Sequence, residues 1–234
     1  MKMNRNSNTY TILFSIIMVI IVATILTIVA ISLQPAQKRN IKIEKKKNIL
    51  SALNIQSNAQ NATELYDKYV IESFAVNLNG DKVVNIDAFN IDLKKELKKD
   101  EENQLWPVYV CATEDGTKYL FALYGKGLWG PIWGYIALND DLNSVYGVYF
   151  DHKSETPGLG AEISTQDFQN QFKNKTLFNE NNMFISIDVV KSGAGNNPFA
   201  VDAVSGGTIT SNGLRDMIKI CMTAYLGYIE KNKK

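Results

Sequence analysis

The sequence predicts an α+β fold, a twisted and largely antiparallel sheet with flanking helices, preceded by one transmembrane helix. Three observations predict it. No charged residue occurs from Tyr10 to Leu33. Five segments rich in β-branched and aromatic residues, punctuated by turn residues, lie between Trp106 and Val190. The chain closes on a run in which Leu214, Met217, Ile218, Cys221, Tyr225 and Tyr228 recur at helical spacing and give one apolar face.

The first element is the uncharged run TILFSIIMVIIVATILTIVAISL. As a helix it spans roughly 35 Å at about 1.5 Å per residue, enough for a hydrocarbon layer about 30 Å thick. A cleaved signal peptide has a shorter apolar region, about 7–15 residues, ending in a small-x-small site. Leu33-Gln34-Pro35-Ala36 is a poor site of that kind, so the run reads as a retained anchor. The chain then divides into a tail (1–10), the transmembrane helix (11–33), a juxtamembrane linker or helix (34–60) and one globular domain (61–234). Lys38, Arg39, Lys42, Lys45, Lys46 and Lys47 follow the anchor, against Lys2 and Arg5 before it. The positive-inside rule puts the domain in the cytoplasm on that count, although long domains translocate largely regardless of charge. The Lys run is either a solvated face or a surface attracted to anionic membrane lipid.

Next, NILSALNI and NATELYDKYV read as short amphipathic helices. IDLKKELKKDEEN, with both signs of charge and few apolar residues, reads as an exposed helix or loop without chemistry. The strand segments are WPVYVCA, KYLFALYG, IWGYIAL, SVYGVYF and FISIDVV. Between the last two, STQDFQNQFKN reads as a helix with Ser164 as its N-cap.

Composition excludes several classes. The 25 Lys+Arg balance 24 Asp+Glu, so there is no basic excess to form a nucleic-acid footprint. Two cysteines and one histidine cannot build a four-cysteine iron–sulfur cluster or a zinc site needing several histidines, and no metal is assigned. Cys111 and Cys221 both sit in apolar runs, which favours buried free thiols over a disulfide. A lone His152 near Glu155 reads as a structural group rather than a metal or acid–base site. Without G-x-S-x-G, and with one histidine to serve as base, a Ser-His-Asp hydrolase is disfavoured.

Three stretches carry the remaining chemical signal. In Asp202-Ala-Val-Ser-Gly-Gly-Thr-Ile-Thr-Ser-Asn-Gly213, four hydroxyls (Ser205, Thr208, Thr210, Ser211) crowd around Gly206 and Gly207. The segment runs into the last helix, whose N-terminal N–H groups and partial positive charge suit a phosphate. The same residues serve as ordinary caps and turns, which composition alone favours. No Gly-Lys-Ser/Thr ending marks a Walker A loop. Gly125-Lys-Gly-Leu-Trp-Gly-Pro-Ile-Trp-Gly134 is either a turn with packed aromatics or a platform for a flat ring. Its formal G-x-G-x-x-G is followed by Pro131 and a strand, where the dinucleotide fingerprint needs a helix. His152-Lys-Ser-Glu-Thr-Pro-Gly-Leu-Gly-Ala-Glu162 suggests a tight loop with exposed amides.

GKGLWGPIWGYIAL, HKSETPGLGAEI and DAVSGGTITSNGL, in this order, resemble the signatures of the FMN-binding domain of membrane flavoprotein subunits. The resemblance covers roughly the whole chain, anchor included, and points to the C-subunit family of the Na+-translocating NADH:quinone oxidoreductases. Asp202, Ser205, Gly206 and Thr208 fall in register with the flavinylation pattern Asp-x-x-Ser/Thr-Gly-Ala-Thr, with Gly207 in place of the usual Ala. The resemblance implies covalent FMN, held as a phosphoester on Thr208 and placed there by a separate Mg2+-dependent flavin transferase. It implies cofactor-binding roles for Asp202, Ser205, Gly206, Gly207 and Thr210, and for Trp129, Glu155, Thr156, Leu159 and Gly160 in the two flanking loops. No residue is assigned a catalytic role of its own. The domain would be a redox relay, with the NADH and quinone sites and sodium passage in other subunits. It would lie on the periplasmic side of a bacterial inner membrane, opposite to the charge count. The G subunit of the ferredoxin:NAD electron-transport complex is similar, with an anchor, an ETPGLG-type loop and FMN on Thr. The Lys-Gly-Leu-Trp opening favours the quinone reductase. A reading of another class is an anchored module that binds a phosphate-bearing ligand reversibly.

Overall fold

A computed structural model describes residues 8–233, and the chain divides into two units, one ending at Lys45 and the other beginning at Lys46. Helix α1 (Asn8–Ala52) runs without a break through Pro35, so residues 34–52 are helical. Its N-terminal part is long and apolar enough to cross a membrane, with a mean hydropathy of 3.1 over its most apolar window.

In the second unit the last turn of α1 buries Ile49, Leu50 and Ala52. There follow α2 (Ala62–Tyr69), β1 (Val70–Val76), β2 (Lys82–Val83) and a single turn, α3 (Leu93–Glu96). The heart of the domain is β3 (Trp106–Thr113), β4 (Gly116–Lys126), β5 (Pro131–Leu138) and β6 (Val145–His152). After a 3-10 segment (Gly160–Ser164) come α4 (Gln166–Asn170), β7 (Asp188–Val190), β8 (Ala200–Asp202) and the long α5 (Thr208–Asn232). One sheet has the order β2-β1-β3-β4-β5-β6, antiparallel at every pairing.

The strands read as near-continuous apolar runs because both faces of the sheet are covered. Val108, Phe121, Ile136 and Val148 lie in register on the face that takes α5. Tyr109, Leu120, Ala137 and Gly147 lie in register on the other, where a side chain at Gly147 would meet the Ala52 carbonyl at 2.5 Å. Tyr225 of α5 anchors the first face: its ring centroid stands 4.8 Å from Phe121 and 5.3 Å from Trp106. Its hydroxyl reaches the carbonyls of Pro107 (3.0 Å) and Ala122 (3.2 Å). Each such ring pair adds about 0.5–1.5 kcal/mol beyond the area it buries.

Several local readings are corrected. FISIDVV does not extend the main sheet; only Asp188–Val190 is strand, paired in parallel with β8. The helix predicted from Ser164 is the short α4, and its cap is Thr165, whose Oγ1 accepts from the Phe168 N–H. The charged stretch 91–103 is not wholly exposed: Leu93 is buried, and so is Glu96, held by Lys99 Nζ at 2.7 Å and the Leu105 N–H at 3.0 Å. Strand β1 lies where no strand was predicted. Cys111 and Cys221 are buried free thiols, Cys111 facing the Tyr109 side of the sheet and Cys221 lying on α5 against Tyr124.

Candidate functional site

Helix α5 begins at Thr208, six residues before Leu214, the first residue of the predicted apolar face, with Gly207 as its N-cap and no side chain capping it. The N–H groups of Thr208, Ile209 and Thr210 consequently find no acceptor among the described residues, and the first turn carries no acidic residue. The Thr208 side chain is exposed and its hydroxyl makes no hydrogen bond with the described residues. Gly206 adopts φ +71°, a conformation that favours glycine, and a Cβ there would lie 2.7 Å from Leu159 Cδ2. Gly207 is buried, and a Cβ on it would come within 3.3 Å of the Gly160 nitrogen. The turn 205–207 and the loop 155–160 therefore pack backbone to backbone.

Glu155 is the tie that joins the three motifs. It is 4 % exposed. Its Oε1 accepts from the Trp129 N–H at 2.8 Å, and its Oε2 accepts from the Thr210 hydroxyl at 2.5 Å. His152 Nδ1 accepts the Glu155 N–H at 3.1 Å and so sets the approach of the loop. The glycines around this carboxylate leave room for it: a Cβ on Gly127 would sit 2.6 Å from Oε1, and one on Gly160 would sit 2.6 Å from Oε2. A carboxylate removed from water needs such donors to persist, and bonds of this charge-assisted kind are the strong ones.

The loop between β4 and β5 closes with Gly127 N–H donating to the Gly130 carbonyl at 2.8 Å. Leu128 and Trp129 project from it, 43 % and 65 % exposed. Leu159 and Ile209 are also exposed large apolar side chains. Ser211, on the inner side of α5, accepts the Val204 N–H at 3.2 Å and fixes how the chain enters the helix. At Gly213, two residues on, a side chain would collide with the Lys126 carbonyl oxygen, so α5 is seated directly on the end of β4.

The structure thus brings together Trp129, Glu155, Leu159, Gly160, Gly206, Gly207 and Thr210. Thr208 stands at the exposed mouth of the same helix. Thr156 is exposed and contributes its carbonyl, which accepts from the N–H groups of Leu159 and Ala161. Ser205 is exposed on the turn. Asp202 is engaged elsewhere: its Oδ1 accepts from the Ala194 N–H at 2.9 Å, and its own N–H goes to Gln171 Oε1 at 2.9 Å. Sequence reasoning did not assign Ile209 or Gly213 to the site, and placed Gly127 and Leu128 only within the loop that flanks the cofactor. An isoleucine set between two threonines at a helix start was the available signal for the first.

These residues fit a phosphate-bearing, flat-ringed cofactor. The three unspent N–H groups and the dipole of α5 suit an anion, and the apolar side chains and glycine backbone suit a ring. The class is accordingly that of flavin mononucleotide domains, and the FMN-binding domain family matches residues 127–223, which contain the second and third motifs and all but the first two residues of the first. The C subunit of the Na(+)-translocating NADH-quinone reductase of Haemophilus ducreyi is 30% identical, covering 93% of this chain and 91% of its own. Its counterpart from Vibrio alginolyticus is 31% identical over 84% of this chain and 83% of its own. The chain belongs to this C-subunit family. Among solved structures, that of the C subunit from Parabacteroides distasonis superposes with a TM-score of 0.77 at 41% identity, covering 84% of this chain and 96% of that one. The Shewanella oneidensis protein NqrC gives a TM-score of 0.70 at 25% identity, covering 85% and 99%.

Proposed function

We propose that this chain is the redox subunit of a Na+-translocating NADH:quinone reductase, relaying electrons through FMN joined to Thr208 by a phosphoester bond. The observation that carries the attachment site is the contrast between two threonines of one helix turn. Thr208 is exposed and its hydroxyl is unengaged, whereas Thr210 is 1 % exposed and its hydroxyl is given to Glu155. Only the first can be reached by a modifying enzyme, and its ester would lie at the positive end of α5. No base among the described residues touches Thr208, so the reading assigns attachment to a separate flavin transferase. Attachment would join Thr208 Oγ to the FMN phosphorus as the pyrophosphate bond of FAD breaks, with AMP leaving and the hydroxyl proton passing to a base of the transferase.

The bound flavin supplies the electron chemistry, and the protein supplies position and surroundings. The N–H groups of residues 208–210 hold the phosphate. Trp129, Leu128, Leu159 and Ile209 shield the ring from water, and Glu155 holds both loops in place without facing solvent. NADH oxidation and quinone reduction belong in this reading to other subunits, and so does sodium passage, because one helix cannot form a channel and the described residues hold one helix long enough to cross a membrane. The domain is assigned to the periplasmic side of a bacterial inner membrane, with Lys38, Arg39 and Lys42 near lipid headgroups. Mass spectrometry of the native chain tests the proposal. Wild type should carry one FMN adduct on the peptide containing Thr208, and Thr208→Ala should carry none. Unmodified native protein, or an adduct retained by the variant, refutes the assignment.

A further inference from the structure

The outward side of α5 carries a feature that flavin attachment leaves unused. Ile220 is 58 % exposed between the buried Ile218 and Cys221. It lies in an open groove of about 620 Å³ walled by Leu97, Tyr124 and Met217, with Gly130 and Pro131 at one end. A second groove, of about 600 Å³, shares Leu97 and Ile220 and continues to Thr223 and Ala224. From Gly213 to Ala224 the pair follows α5 for roughly 16 Å at about 1.5 Å per residue. An open trough three helical turns long suits an extended or helical segment of another protein better than a small molecule, which prefers an enclosed site.

Charge narrows the occupant. Lys94, Lys98 and Lys126 rim the first groove and form no ion pair among the described residues. Its one acidic group, Asp216, is engaged by Arg215 at 2.9 Å. In the second groove Glu101 and Lys219 offset each other. The rim is therefore cationic around an apolar floor, and a second copy would set lysine against lysine. Position adds a reason for contact. Lys126 and Gly130 belong to the strand end and loop that Glu155 fastens through the Trp129 N–H, so an occupant here lies beside the flavin loop.

We infer that this groove seats an acidic segment with apolar anchors from another subunit of the reductase. The inference rests on the reading that the chain works in that complex, and it adds the surface through which a redox partner is held near the flavin. The test uses the intact complex purified from its own membrane. A photo-cross-linking residue is placed at Ile220, and at the exposed Glu230 of the same helix as a control. The Ile220 probe should join an acidic peptide of a different subunit, identified by mass spectrometry, and the Glu230 probe should not give that adduct. Lys94→Glu combined with Lys98→Glu should cut its yield about tenfold, and raised salt should cut it in wild type. Adducts with a second copy, with lipid alone or with nothing overturn the inference. So does a yield indifferent to charge reversal, or a chain that purifies without other subunits. Flavin occupancy of Thr208 is measured on the same samples. A chain without flavin whose Ile220 adduct persists would refute the attachment and leave the docking surface standing.

Discussion

Glu155→Ala deletes a carboxylate that accepts two hydrogen bonds inside the fold, from the Trp129 N–H at 2.8 Å and from the Thr210 hydroxyl at 2.5 Å. A hydrogen bond to a charged group contributes about 1.5–3 kcal/mol, and the Thr210 hydroxyl left behind is buried without a partner, so the loss is about 4 kcal/mol. Glu155→Gln keeps both contacts at neutral strength. Its carbonyl oxygen accepts from Trp129 and its amide donates to the Thr210 oxygen, for a loss of about 1 kcal/mol. In a chain of this size 1 kcal/mol lowers the melting temperature by about 2–4 °C. The Ala variant should therefore melt about 8–16 °C below wild type and the Gln variant about 2–4 °C below. The assay is a thermal melt of the detergent-solubilised chain followed by tryptophan fluorescence, with the flavin adduct weighed in parallel. The Ala variant should also lose flavin, since the loops on either side of α5 are no longer fastened to it. Two variants melting together, or an Ala variant melting with wild type, would show that the carboxylate does not hold these loops.

The remaining predictions concern the same helix and the core beneath it. Gly213→Ala puts a methyl group against the Lys126 carbonyl oxygen and should cost about 3 kcal/mol, read as a lowered urea midpoint; an unchanged midpoint would mean that α5 does not sit so close to β4. Thr208→Ala, by contrast, trims an exposed side chain and should stay within about 0.5 kcal/mol of wild type while losing its adduct. Burial pushes the thiols of Cys111 and Cys221 from their ordinary 9.0 up to about 12, and burial holds the Tyr109 and Tyr225 hydroxyls well above their ordinary value. The folded chain binds these protons more tightly than the unfolded chain, so their contribution is complete below the unfolded values and is lost as pH rises through the folded ones. Urea midpoints should hold steady up to about pH 9 and fall progressively toward pH 12; a midpoint constant across that window would contradict the burial of these groups.

The sequence made the N-terminal apolar helix, four central strands and the C-terminal helix legible because each is a long, strongly apolar pattern. Strand β1 escaped. Its first half is exposed and its register shifts between Val70 and Glu72, so neither alternation nor a continuous apolar run marks it. The predicted helix NATELYDKYV ran up to its edge. The length of α1 was obscured by Pro35, which removes one backbone donor without ending the helix. Within the site, hydroxyls and glycines gave away the helix mouth. The role of Glu155 did not show, because its partners lie 26 and 55 residues away and only the folded sheet brings them together. Thr210 is buried with its hydroxyl given to Glu155, and no local pattern encodes that burial.

Thr208 stands at the rim of a finished fold, on a helix whose inner side is already locked to β4 and to the loop 155–160. Nothing around it must open for a donor to approach. On the proposed attachment, maturation would follow folding: the chain would take its final shape empty and receive the flavin last, from an enzyme that reads only a surface.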